Sequence, residues 1–200
     1  GGGGIGGNAT AGQGYGGAIF NRNGDLTVVS STIAGNTGAE GPGIVNLGDG
    51  AGKVATAHVD DSILGTSGWD YQFRGDVNND GGTNTSTGTH NLVSYTNGFN
   101  AQNTIFGDTK LTALADNGGP TMTMAPAADS PAIDAGDTAG NALSTDQRGK
   151  ARVYNGALDI GALEVQPDAS PPDVVAPGFL YFAQGSARSY TITLTGSPTP

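Results

Sequence analysis

Clusters of Val, Ile, Leu and aromatic residues recur along the chain, each only a few residues long and bounded by Gly, Asn, Asp or Ser, the pattern of many short strands joined by turns. Strong helix formers are scarce and do not fall at helical spacing. The clusters also repeat. Gly17-Ala18-Ile19-Phe20-Asn21 returns as Gly41-Pro42-Gly43-Ile44-Val45-Asn46 at an offset of 25 residues. Leu26 to Ile33 returns as Ala57 to Leu64 at an offset of 31, and the six extra residues fit the Gly-rich stretch from Leu47 to Lys53. A period in this range, built of short strands, is that of a chain whose successive circuits stack and bury one another's inward face. In that register Leu26, Val28 and Ile33 point inward over Ala57, Val59 and Leu64, while Thr27 and His58 point outward, because strand side chains alternate. Asn21 falls over Asn46, where stacked amides satisfy backbone groups of the turn.

The pattern then changes. From Thr66 to Gly88 the repeat is broken by Trp69-Asp70-Tyr71-Gln72-Phe73 and a polar stretch, read as a long loop, and it resumes at His90-Asn91-Leu92-Val93. From about Thr104 to Val165 apolar pieces (Leu111 to Ala115, Ala132-Ile133, Leu158 to Val165) alternate with Asp-, Gly- and Pro-rich turns. A terminal element is expected there, since the last circuit of a stack otherwise leaves an open core and an unpaired edge. Four prolines between positions 167 and 177 have linker composition. Beyond them Phe179 to Phe182 and Tyr190 to Leu194 read as two strands around a turn at Gly185 to Ala187. The expected organisation is 1–107 stacked β circuits, 108–166 a closing region, 167–177 a linker and 178–200 the start of a β-sandwich.

Composition narrows the function. With 18 acidic and 8 basic residues the net charge is −10, which opposes binding to nucleic acid or anionic lipid. The absence of Cys removes disulfides, thiol catalysis and Cys-based zinc sites. No apolar run approaches the length of a spanning helix. The chain opens on Gly1 to Gly4 without Met and stops at Ser197-Pro198-Thr199-Pro200, and reads as a segment of a longer polypeptide.

Leu114-Ala115-Asp116-Asn117-Gly118-Gly119-Pro120-Thr121, Ser130-Pro131-Ala132-Ile133-Asp134-Ala135-Gly136-Asp137, Thr145-Asp146-Gln147-Arg148-Gly149 and Asp159-Ile160-Gly161-Ala162-Leu163-Glu164 stand in this order along the second half. Together they resemble the choice-of-anchor Q domain, with Leu163 where an aromatic residue is common. The upstream circuits resemble the polymorphic-outer-membrane-protein-like repeats that precede that domain in right-handed parallel β-helix proteins of bacterial surfaces, and the tail resembles an Ig-like domain. The resemblance implies an all-β, right-handed parallel β-helix, and an extracellular or cell-surface setting that includes the bacterial outer membrane. It implies a structural or adhesive role with glycan or cell-surface protein partners, and no reaction. Right-handed crossover is also the general preference for parallel strands.

Chemistry candidates are few. Asp76-Val77-Asn78-Asn79-Asp80-Gly81 places oxygens at alternate positions before a turn Gly, the pattern of a calcium loop or of a polar turn; Asp76, Asn78 and Asp80 are the candidate ligands, and Thr87 stands where a bidentate Glu would complete an EF-hand. Arg148 and Arg152 among Asp134, Asp137, Asp146 and Asp159 form either an acid–base cluster or a salt-bridged closing region. The alternative function, a polysaccharide lyase acting on acidic glycans, needs a cation and a basic group together, and Arg74 beside Asp70, Asp76 and Asp80 is the local set that has both. It would show as a groove where Arg74 or Lys53 meets several carboxylates. Adjacent Asp60 and Asp61 point to opposite faces and do not suit a hydrolase pair. Outward His58 is expected to be solvated and His90 to cap the turn before Asn91, with no Ser or Cys nucleophile beside either.

Overall fold

A computed structural model describes residues 16–38, 41–65, 73–74, 78–79, 81–166, 173–175 and 193–195. The chain forms two compact units, Gly1–Val165 and Gln166–Pro200. Among the described residues there are strands, bridges and turns and no helix.

In the first unit the chain visits three sheets in turn. β1 (Ile19–Arg22), β2 (Asp25–Val29) and β3 (Thr32–Ile33) make one circuit. β4 (Ile44–Asp49), β5 (Val54–Asp60) and β6 (Ile63–Leu64) make the second. The third comprises β7 (Phe73–Arg74), β8 (Asn78–Asn79), β9 (Thr83–Thr89) and β10 (Leu92–Val93), and the chain then adds β11 (Thr96–Asn97) and β12 (Ile105–Phe106). Each strand pairs in parallel with its counterparts, giving the orders β1-β4-β7-β11 with β8 also on β4, β2-β5-β9, and β3-β6-β10-β12.

The register is the one the repeat implies. Asn21 faces Asn46, Leu26 faces Ala57, Val28 faces Val59 and Ile33 faces Leu64. The inward residues Val28, Ile44, Ala57, Val59, Leu64, Phe73 and Val93 form one core, joined at its margin by Ile19, Leu26, Ile33 and Phe99. The rings of Phe73 and Phe99 pack with centroids 4.5 Å apart.

One expectation needs correction. The polar stretch before Gly88, read as part of a long loop, contains β9, which pairs with β5 along its whole length. Thr, Asn and Ser occupy β9, so no apolar alternation announces it. Inward positions there are small: Ser86 is buried and donates its hydroxyl to the Gly98 carbonyl, and a Cβ on Gly88 (φ 147°) would lie 1.8 Å from the Val59 carbonyl oxygen. Only glycine lets β5 and β9 approach this closely.

The region after β12 was expected as a terminal closing element. It packs along the flank of the third sheet. The two-residue strands β6 and β10 bury both faces: Leu64 and Val93 belong to the inner core, while Ile63 and Leu92 join Ala132 and Ile160 in a second one, bordered by Ile105, Leu111 and Ala135. Backbone hydrogen bonds fasten the flank, from Gly161 N–H to the Asp61 carbonyl (2.7 Å), from Asp137 N–H to the Asp61 carboxylate (2.7 Å) and from Ala162 N–H to Thr32 Oγ1 (3.0 Å). Its regular pairing is limited to isolated antiparallel bridges such as Leu111 with Pro126 and Ala115 with Thr123.

In the second unit β13 (Asp173–Val175) and β14 (Thr193–Thr195) pair antiparallel, Val174 opposite Leu194. Asp173–Val175 thus forms a strand inside the stretch read as a linker, where two consecutive β-branched residues outweigh the surrounding prolines. The strand expected at Phe179 to Phe182 and its turn lie outside the described residues.

Candidate binding face

The outward face of the β2-β5-β9 sheet carries the most regular array of polar side chains. Parallel pairing places Asp25, Thr56 and Thr85 in one column, Thr27, His58 and Thr87 in a second, and Val29, Asp60 and Thr89 in a third. Neighbours within a column stand one strand spacing apart, roughly 4.8 Å. They also bond along and across the columns. The Thr56 hydroxyl donates to Asp25, His58 Nδ1 lies 2.9 Å from Thr87 Oγ1, and His58 Nε2 lies 2.6 Å from Asp60 Oδ2. Asp60 also accepts from Thr89 N–H at 2.9 Å. His58 is outward as expected, but it is held by Asp60 and Thr87 rather than by solvent alone. Val29 and Val54 are exposed on this face as well, so it offers hydroxyls, one imidazole and aliphatic patches on a flat surface.

The corners hold polar ladders. Asn21 Nδ2 donates to Asn46 Oδ1 (2.7 Å), and Asn46 Nδ2 donates to the Ala55 (3.2 Å) and Thr85 (3.0 Å) carbonyls. A second ladder went unread in the sequence. Ser31 N–H donates to Ser62 Oγ, Ser62 N–H to Asn91 Oδ1, and Asn91 Nδ2 to the Val59 carbonyl. Just before it, Ser30, Asp61, His90 and Asn103 take φ of 44°, 47°, 50° and 48°, one left-handed residue per corner. His90 is therefore a corner residue in its own right, with its N–H on the Gln102 carbonyl. Asp60 and Asp61 diverge as expected, one to the outer face and one into the corner.

The charged residues of the flank form a closed network. Arg148 donates through Nε (2.9 Å) and NH2 (2.8 Å) to Asp146 Oδ2. Asp146 also accepts from Glu164 N–H; burial pushes its carboxyl up, but the hydrogen bonds and charge of Arg148 and the Glu164 N–H together hold it below the usual range. Arg152 is 1% exposed, lies 3.3 Å from Glu164 Oε2, and donates to the Asp159 (2.9 Å) and Gly161 (2.6 Å) carbonyls. Burial pushes Glu164 up to about 7 and raises Asp159, although both accept backbone N–H groups, from Tyr154 and Asp159 and from Asp134 and Val165 respectively. Asp134 and Asp137 enter this region through their backbone N–H groups, and the partner that sequence reasoning missed is Glu164. Oxygens so fully engaged and shielded from solvent serve packing better than acid–base chemistry.

Of the calcium candidates, Asp76 and Asp80 lie outside the described residues, and Asn78 is described as backbone in β8. Arg74 likewise enters as backbone in β7, and Asp70 lies outside; Lys53 is exposed at the turn into β5. Among the described residues no group of three or more His, Cys, Asp or Glu is placed to hold a metal ion, and no helix is long and apolar enough to cross a membrane.

Fold and site together define an all-β chain whose first unit is built of parallel sheets with a hydroxyl-rich outer face. Comparison with protein-family models, curated proteins and solved structures returns no match.

Proposed function

We propose that the chain is a non-catalytic structural and adhesive segment of an extracellular or cell-surface bacterial protein. In this reading the parallel sheets form a right-handed β-helix, the flank is a choice-of-anchor Q-like closing region, and the tail begins an Ig-like domain. The observation that carries the proposal is the outward face of the β2-β5-β9 sheet, where Thr27, His58 and Thr87 line one column and Asp25, Thr56 and Thr85 another. Such a face suits many weak contacts with glycan hydroxyls or with a protein surface. Among the described residues, Arg148 and Arg152 and their carboxylate partners are engaged with one another in the flank.

The test is retention of the chain on immobilised neutral and acidic polysaccharides, alongside an assay for unsaturated products. Retention without product is expected, with loss in a Thr27→Arg/Thr87→Arg double variant whose melting midpoint is unchanged. Product release from an acidic polysaccharide would overturn the proposal in favour of a lyase.

A further inference from the structure

On the outward face of the β2-β5-β9 sheet three side chains stand in a relay. Thr87 of β9 and His58 of β5 are paired across the strands, and Asp60 follows His58 by two positions on β5, so all three point outward. His58 Nδ1 lies 2.9 Å from Thr87 Oγ1, and His58 Nε2 lies 2.6 Å from Asp60 Oδ2. Asp60 is itself held, because its other carboxylate oxygen accepts Thr89 N–H at 2.9 Å. A carboxylate only accepts hydrogen bonds, so the neutral imidazole carries its proton on Nε2 and turns an unprotonated Nδ1 toward the Thr87 hydroxyl. Hydroxyl, base and orienting carboxylate stand in the order that activates a nucleophile, within the reach such groups need, roughly 2.6–3.2 Å. The adjoining corner provides a contrast. His90 Nδ1 also lies 2.9 Å from a hydroxyl, that of Thr89, but its Nε2 faces the Asn103 amide at 3.5 Å rather than a carboxylate.

We infer that Thr87 is a nucleophile that takes an acyl group from an activated ester onto its hydroxyl, with His58 as general base and Asp60 as a positioning residue. Thr87 Oγ1 bonds to the ester carbonyl carbon and passes its proton to His58 Nδ1, while Asp60 stabilises the imidazolium at Nε2. The bond from that carbon to the leaving oxygen then breaks, the leaving oxygen takes the proton from Nδ1, and an acyl-threonine and a free alcohol remain. Thr87 is exposed and the His58 side chain is 50% exposed, so an ester can reach both. The same openness admits water, which limits the reaction to esters with a good leaving group and makes the protein an acyl acceptor rather than a catalyst of many turnovers. The inference goes beyond the adhesive reading, since one acylation would turn a weak contact on this face into a covalent attachment.

The experiment treats the whole 200-residue chain with p-nitrophenyl acetate at neutral pH. Release of p-nitrophenol is followed by absorbance, and acetyl groups are located by mass spectrometry before and after hydroxylamine, which removes an ester but leaves an amide on lysine. An initial burst and a hydroxylamine-labile acetyl group on Thr87, in preference to Thr27, Thr85 and Thr89, are expected. Thr87→Val, whose β-branch suits the strand, should abolish that ester, and the melting midpoint should stay with the parent because the side chain is outward. His58→Gln should slow acetylation of Thr87 by roughly tenfold or more, the scale of general base assistance. Asp60→Asn keeps an acceptor for Thr89 N–H but presents an amide N–H to Nε2, which moves the ring proton to Nδ1. The same slowing is expected there, with an exchange of the two ring-nitrogen NMR shifts of His58. Acetyl groups confined to lysine, acetylation of Thr27 or Thr85 as fast as that of Thr87, or a Thr87 rate indifferent to His58→Gln and Asp60→Asn would overturn the inference. The ester is small and polysaccharide is absent, so none of these outcomes decides the retention test of the adhesive reading.

Discussion

Asn46 is fully buried and joins three partners, so its side chain is hard to replace. Asn46→Ala would leave the Ala55 and Thr85 carbonyls without their donor, and a loss of about 3 kcal/mol in urea unfolding is expected. Asn46→Asp should cost more, because it aims a second acceptor at those carbonyls. Gly88→Ala should prevent the β5-β9 pairing, since its Cβ would fall on the Val59 carbonyl; loss of the cooperative melting transition is the readout. Glu164 gives a pH dependence. It ionises near 4.5 when exposed and near 7 in the fold, because burial penalises its charge. The folded state therefore holds the proton more tightly, so this contribution is full below pH 4.5 and is lost as pH rises to about 7, by up to about 3 kcal/mol. Unfolding midpoints should fall between pH 5 and 8, and the Glu164 carboxyl carbon should titrate near 7. The Asn21–Asn46 ladder was legible because one repeat offset superposes two amides. Glu164 was not, because its pairing with Arg152 depends on how the flank folds back on itself.

Among the elements, the third sheet matters most. In its two-residue strands alternation turns Ile63 and Leu92 away from the inner core, and the flank covers them from outside. Asp61 is the fastening point: its carboxylate accepts Asp137 N–H and its carbonyl accepts Gly161 N–H. Asp61→Ala should expose the Asp137 amide to faster hydrogen exchange and cost about 2 kcal/mol, whereas Asp61→Asn, which tolerates the left-handed corner and keeps an acceptor, should cost less than half of that. Strands β2 and β5 were visible in the alternation of their apolar residues. β9 was invisible, since its inward residues are small and polar and only pairing to β5 makes it a strand.

For the whole molecule, a net charge of −10 makes self-repulsion general, and the melting midpoint should rise by a few degrees between about 10 mM and 150 mM NaCl as the Debye length shortens from roughly 30 to 8 Å. Calcium is tested the same way. Binding at Asp76, Asn78 and Asp80 would stabilise the fold by about 2.7 kcal/mol at a concentration 100 times Kd, and a midpoint indifferent to calcium and chelator would assign those residues to a polar turn. The sequence alone determined the all-β character, the parallel register of the first two circuits and the inward and outward alternation of β2 and β5, because a repeat read at fixed offset forces equivalent residues into neighbouring strands. Only the tertiary structure decided that the second half lies along the flank and that Glu164 completes the Arg152 network. Those contacts join separate turns, from 12 positions apart (Arg152 and Glu164) to 130 (Thr32 and Ala162), and neither local pattern nor repeat spacing constrains which turns come together.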